Sequence, residues 1–186
     1  RTSVDRHLTL APRQTIRWPD VVRTYFGLGE LGSLWIEHHG QPPVAIVRNS
    51  DIAHGGRASV ESPLHWRDAV SAGTDADELT IVGIDARRIP ATRVNVGVVN
   101  LGRIPATFKI AAWTRGGVQV GRTLEAGIGE EDIWWIVDAE GELGTLIDET
   151  MSIRITPIAG TGAAFATIVL PSGDTEFIPA IPAQQQ

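Results

Sequence analysis

The sequence predicts an all-β protein: a β-sandwich built as two related units, the first one reduced. Three observations lead there. Few segments hold apolar residues at the three, four and seven spacing of an amphipathic helix without Gly, Pro or β-branched interruption. Short runs with apolar residues at alternate positions recur along the chain instead. Turn formers punctuate them, as in Ala11-Pro12, the HHGQPP run from His38 to Pro43, Gly141-Glu142-Leu143-Gly144 and Pro171-Ser172-Gly173-Asp174.

Taken in order, His7 to Leu10 and Thr15 to Trp18 read as two short strands, the second ended by Pro19, which has no donor for a ladder. Asp20 to Leu31 is the one place for a helical turn, with Asp20 as its cap and Val21, Val22, Tyr25 and Phe26 on one side. Ser33 to Glu37 and Val44 to Arg48 then read as a hairpin-like pair around HHGQPP, with Leu34, Ile36, Ala45 and Val47 as inward candidates. Arg57 to Glu61 is a further strand, ended by Pro63. Residues 1–63 are thus expected to form the reduced unit, and the acidic, turn-rich stretch 64–77 to cross to the second.

The second unit, 78–183, opens with Glu78 to Ile84. Arg93 to Asn100 follows, with Val94, Val96 and Val98 on one face and Asn95, Gly97 and Val99 on the other. Thr107 to Trp113 puts Phe108, Ile110 and Ala112 inward and turns at Arg115-Gly116-Gly117 into Val118 to Val120. Ile133 to Val137, Met151 to Thr156, Ala163 to Leu170 and Thr175 to Ile178 complete the strands, and 184–186 is a polar tail.

The halves share an order of segments. Ile16-Arg17-Trp18 matches Ile133-Trp134-Trp135, and Ser33-Leu34-Trp35-Ile36 matches Ser152-Ile153-Arg154-Ile155. The front section Arg93 to Gly121 has no counterpart before His7, so the first unit lacks opening strands. Residues before Arg1, the second unit, or a strand from another chain would have to supply them. A start at Arg1, without Met or an apolar leader, is expected of a processed chain.

The run Arg93-Val94-Asn95-Val96-Gly97-Val98-Val99-Asn100-Leu101-Gly102, then Pro105-Ala106-Thr107, and later Phe177-Ile178-Pro179-Ala180, resembles the immunoglobulin-like β-sandwich repeats of large secreted or cell-surface bacterial proteins. Those units read roughly R-T-N-x-G-x-x-N-x-G-x-x-P-A-T and close on F-I-P-A; Val94 departs from the pattern. The resemblance implies an immunoglobulin-like sandwich and an extracytoplasmic location, and it is nearly silent on activity.

Composition excludes several classes. A net charge of −6 with no basic cluster argues against nucleic acid as a partner. Lys109 is the sole lysine, and cysteine is absent, which removes disulfides, thiolate metal sites and cysteine nucleophiles. No apolar run approaches the roughly 20 residues of a membrane helix.

Candidate chemistry is sparse. His38, His39, His54 and His65 are the possible metal ligands, but adjacent histidines on a strand point to opposite faces, so no metal or cofactor is expected. Ser50, Asp51 and His54 are close in sequence only, with no G-x-S-x-G elbow. Glu130-Glu131-Asp132 reads as an acidic turn rather than a glycosidase pair, and Asp75, Asp77 and Glu78 fail as a calcium loop, having Thr80 where Gly is needed. Gly27-Leu28-Gly29-Glu30-Leu31-Gly32 fits G-x-G-x-x-G, but a strand follows where a nucleotide site needs a helix.

The tryptophans say more. Alternation with Ile16 and Ile133 puts Trp18 and Trp135 in the core, while Trp134 and Trp35 occupy the places of Arg17 and Arg154 and so face outward, as does Trp113 beside Lys109. Outward Trp35, Trp113 and Trp134 suit a protein interface or a sugar-stacking surface. The expected function is a non-catalytic extracytoplasmic structural or interaction module, a subunit or domain of a larger surface or periplasmic assembly. It would bind a protein partner or neighbouring domain, with a strand-mediated contact at the N-terminal unit. The alternative is a carbohydrate-binding module using the outward tryptophans.

Overall fold

The computed structural model describes residues 4–27, 34–49, 59–61, 64, 68–73, 78–85 and 92–183. The chain divides into two compact units, Arg1–Glu37 and His38–Gln186. In the first, the helical turn is Val21–Tyr25, wound wide so that Phe26 N donates to Val21 O at 3.2 Å. Asp20 caps it as expected, its Oδ1 accepting from Arg23 N at 3.1 Å. Trp18 and Tyr25 pack with ring centroids 4.7 Å apart, and Tyr25 meets Phe26 edge-on. His7 to Leu10 and Thr15 to Trp18 are irregular rather than strands, and Leu8, Leu10, Leu34 and Ile36 stay exposed.

The strands of the second unit are β1 (Val47–Asn49), β2 (Ser59–Glu61), β3 (Val70–Ser71), β4 (Leu79–Ile81), β5 (Arg93–Asn100), β6 (Ala106–Thr114), β7 (Gln119–Ile128) and β8 (Ile133–Ile136). A short helix, α1 (Ala139–Leu143), precedes β9 (Met151–Ala159), β10 (Thr161–Val169), β11 (Thr175–Pro179) and β12 (Ile181–Pro182). Of the expected pairing of Ser33 to Glu37 with Val44 to Arg48, Ser33 lies outside the described residues and 34–37 join no ladder among them, while β1 pairs with β2. Pro42 and Pro43 lack the N–H groups that would close a hairpin at that turn.

The fold is an all-β sandwich of two antiparallel sheets. One runs β11-β10-β5-β8, with β3 also on β10; the other runs β12-β4-β9-β6-β7. Val70 and Ser71, inside the stretch expected to cross between units, pair with Gly162 and Thr161. The alternation in the sequence decides which side chains meet. Val94, Val96 and Val98 of β5 and Ala164, Ala166 and Ile168 of β10 face Phe108, Ile110 and Ala112 of β6, Ile153 and Ile155 of β9, and Leu79 and Ile81 of β4 in one buried cluster. Fully burying each of the large aliphatic or aromatic side chains among them contributes roughly 1.5–3 kcal/mol.

Two strands switch sheets without a loop. Between β9 and β10 the chain turns at Gly160, whose φ is +83° and whose Cβ, if present, would lie 2.5 Å from Ala106 Cβ. Only glycine satisfies both the left-handed backbone and the close approach. Between β11 and β12 the switch falls at Ala180, whose N–H donates to Ala164 O.

One buried side chain ties the turns at this end together. Asn100 is fully buried. Its Nδ2 donates to Ile104 O at 2.7 Å and Gly129 O at 2.8 Å, and its Oδ1 accepts from Gly102 N at 2.8 Å. The carboxamide thus joins the β5–β6 turn to the β7–β8 turn with its main donors and acceptor satisfied. Asn100→Asp keeps the shape but aims oxygen at two carbonyls, and each group left unsatisfied costs about 1–3 kcal/mol. We expect a loss of about 2–4 kcal/mol, read as a lower urea midpoint at unchanged slope; an unchanged midpoint would show that the latch is dispensable.

Candidate functional site

The faces of the two sheets that point away from the core carry the candidate surfaces. On the first sheet, register across β5 sets the composition. Gly97 lies opposite Trp135 of β8 and opposite Phe165 of β10. The two rings reach over the glycine and touch, with centroids 5.3 Å apart, and Phe165 continues to Phe177 of β11 at 5.0 Å. A strip of aromatic rings therefore crosses four strands. Trp135, at one end, is 37% exposed, and Val137 beside it is 51% exposed. The polar end of the same face is closed by Asn95, whose Nδ2 donates to Thr167 Oγ1 and whose Oδ1 accepts from Asp138 N at 3.2 Å.

This reverses the sequence expectation for two tryptophans. Trp134 packs against the core and Trp135 faces outward. The segment IWWI is apolar in both alternations, so period two alone cannot choose a face. Pairing chooses it: Trp134 and Ile136 lie opposite Val98 and Val96, the core face of β5. The available signal was Gly97, since a lone glycine in a valine strand marks close approach by another group.

On the second sheet a depression of about 480 Å³ opens above β6, β7 and β9. Ala111, whose side chain is one methyl, forms its floor, with Trp113 and Lys109 two residues to either side on the same face. Lys109 lies opposite Glu125 of β7 and Thr156 of β9; Trp113 lies opposite Gln119 and Ser152. Arg154, opposite Ala111, lays its guanidinium over the Trp113 ring at 4.5 Å from the centroid. Its Nε stands 3.5 Å from Glu78 Oε1, within ion-pair range but out of hydrogen-bond geometry, and is buried without an acceptor. A buried donor left this way costs about 1–3 kcal/mol. The Arg–Trp stack nevertheless holds the guanidinium in one place.

Trp35 is half-buried in the first unit and Trp113 half-buried at the depression. His38 Nδ1 donates to Gly40 O at 3.2 Å, and His39 is exposed. His54, His65, Ser50, Asp51, Asp75, Asp77, Gly29 and Gly32 lie outside the described residues, while Gly27 ends the helical turn at φ +72°. Among the described residues no group of three or more His, Asp or Glu side chains could hold a metal ion. Glu130 to Asp132 form the turn between β7 and β8: Glu131 N donates to Gly102 O at 3.0 Å, and Asp132 Oδ1 accepts from Ile133 N at 2.8 Å.

Comparison with known proteins returned no matching family model, no matching curated protein and no matching solved structure. No helix among the described residues is long and apolar enough to cross a membrane.

Gly97→Ala tests the aromatic strip. The added Cβ would meet Phe165 Cζ at 2.5 Å and Trp135 Cζ3 at 2.8 Å, so the rings must part. We expect a cost of about 1–3 kcal/mol and a changed near-ultraviolet circular dichroism spectrum with the far-ultraviolet spectrum retained. An unaltered aromatic spectrum would mean the rings do not pack over Gly97.

Proposed function

We propose that this chain is a non-catalytic interaction module, a subunit or domain of a larger extracytoplasmic assembly, and that its partner is a protein. The observation that carries the reading is the aromatic strip on the outer face of the first sheet, ending in a Trp135 side chain that is 37% exposed. Phe165 and Phe177 are half-buried, and aromatic side chains in such a partly exposed strip favour protein contact, because they bury large area with few torsions to freeze. The contact residue on this strand is therefore Trp135 in place of Trp134.

A second feature supports the same reading. Apolar side chains remain exposed at alternate positions in Leu8/Leu10, Leu34/Ile36 and Val44/Ile46. Their period is that of a strand face, and among the described residues these segments join no ladder. Segments of this kind suit strand addition to a neighbour, so a strand-mediated contact is proposed for residues 8–46. The extracytoplasmic location rests on the resemblance to secreted and cell-surface bacterial repeats. Carbohydrate binding has support at Trp113, where an indole walls a polar depression.

The test is isolation of the protein from its source under native conditions, followed by native mass spectrometry. We expect a complex heavier than the 20.0 kDa chain. Trp135→Ser should lower the recovered partner at least about fivefold with the far-ultraviolet circular dichroism spectrum retained, the lost packing on Phe165 and over Gly97 costing about 1–3 kcal/mol of stability. Equal recovery with the variant would overturn the assignment of this face.

A further inference from the structure

The depression on the second sheet is a separate feature from the aromatic strip, and its chemistry differs. Its floor is Ala111, with Trp113 and the Lys109–Glu125 row to either side along the strands. The volume of about 480 Å³ is within the roughly 300–1,000 Å³ of small-molecule sites.

Charge narrows the choice. The chain carries a net charge of −6, yet its one lysine and an arginine line this hollow, with Glu125 opposite Lys109 and Glu78 beside the Arg154 Nε. Arg154 is held from two sides, by the Trp113 ring at 4.5 Å and by Glu78 at 3.5 Å. The Glu78 contact uses Nε, which leaves the two Nη groups as a fixed fork of the kind that receives a carboxylate bidentately. Gln119 and Thr123, joined by a 2.9 Å hydrogen bond, add hydroxyl and amide groups that both donate and accept. An inorganic anion would use the cations alone; a polyhydroxylated ring with a carboxylate uses the cations, the amide, the hydroxyl and the indole edge together.

We propose that the depression above Ala111 binds a sugar bearing a carboxylate, a uronic acid or a residue of an acidic polysaccharide. Arg154 and Lys109 receive the carboxylate, Gln119 and Thr123 meet ring hydroxyls, and the edge of the Trp113 indole, whose face carries the Arg154 guanidinium, borders the sugar ring. The proposal is independent of the protein contact at Trp135, so each can fail without the other.

The experiment titrates the whole chain with sodium D-glucuronate, D-glucose and a glutamate hexapeptide at low salt, following the Trp113 indole N–H signal by NMR, assigned with Trp113→Phe. Saturable glucuronate shifts are expected, with glucose about tenfold weaker or more for want of the charged pairing. Arg154→Lys keeps the charge and removes the fork, and should weaken glucuronate about tenfold. Lys109→Gln, at an exposed position, should weaken it several-fold. Absence of saturable glucuronate binding overturns the proposal, as does Lys109→Gln binding unchanged. Glucose binding as tightly as glucuronate would overturn the role given to the carboxylate, and equal binding of the acidic hexapeptide would overturn the sugar class.

Discussion

A strand buried on both faces governs this structure. In β5, Val94, Val96 and Val98 point into the sandwich, and Asn95, Gly97 and Val99 on the other side are buried as well. Antiparallel sheets commonly leave one face to solvent. Here the outer face of β5 needs cover, and its neighbours provide it: β8 and β10 lay Trp135 and Phe165 across Gly97, while Asn95 bonds Thr167 and the Asp138 backbone. The same strand ends at Asn100, whose carboxamide fixes the turns that carry the chain to the other sheet. Core, aromatic strip and turn latch thus all follow from eight consecutive residues, Arg93–Asn100.

Where alternation was unambiguous, the sequence was sufficient. Both faces of β5 and the inward set Phe108, Ile110 and Ala112 are read directly from period two, and the strands from β4 to β11 lie where short apolar runs between turn formers indicate, except that β7 continues to Ile128, well past the expected Val118 to Val120. The inference weakens where local pattern is degenerate or pairing is non-local. Ile133-Trp134-Trp135-Ile136 is apolar on both faces, and only its register against Val96 and Val98 sends Trp134 inward. Val44 to Arg48 has strand composition, but Pro42 and Pro43 prevent the local hairpin, and the partner of β1 lies at Ser59–Glu61. The helix α1 was read as a turn because its five residues include Gly141; Asp138 caps it, Oδ1 accepting from Gly141 N. The depression could not be seen at all from one strand, since its floor and walls come from β6, β7 and β9 brought into register.

The two outer faces are chemically unlike, and that contrast organises the functional reading. The first sheet offers stacked aromatic rings with little polar choice, which suits a broad protein contact. The second offers a hollow whose indole is occupied by a guanidinium, which suits a small charged ligand. A sandwich can carry both because alternate side chains of each strand are committed to the core and the remainder are free to specialise. The exposed pairs Leu8/Leu10, Leu34/Ile36 and Val44/Ile46 have the alternate spacing of a strand face and, among the described residues, join no ladder.

The central claim is that the Trp135 face is where a partner is seated while Trp134 belongs to the core. Hydroxyl-radical footprinting of the free chain and of the natively isolated assembly, with oxidation quantified at each tryptophan, tests it most directly. The account predicts that Trp135 oxidises readily in the free chain and is protected in the assembly, with Trp134 slow in both. Equal oxidation of Trp135 in the two samples, or faster oxidation of Trp134 than of Trp135 in the free chain, would contradict it.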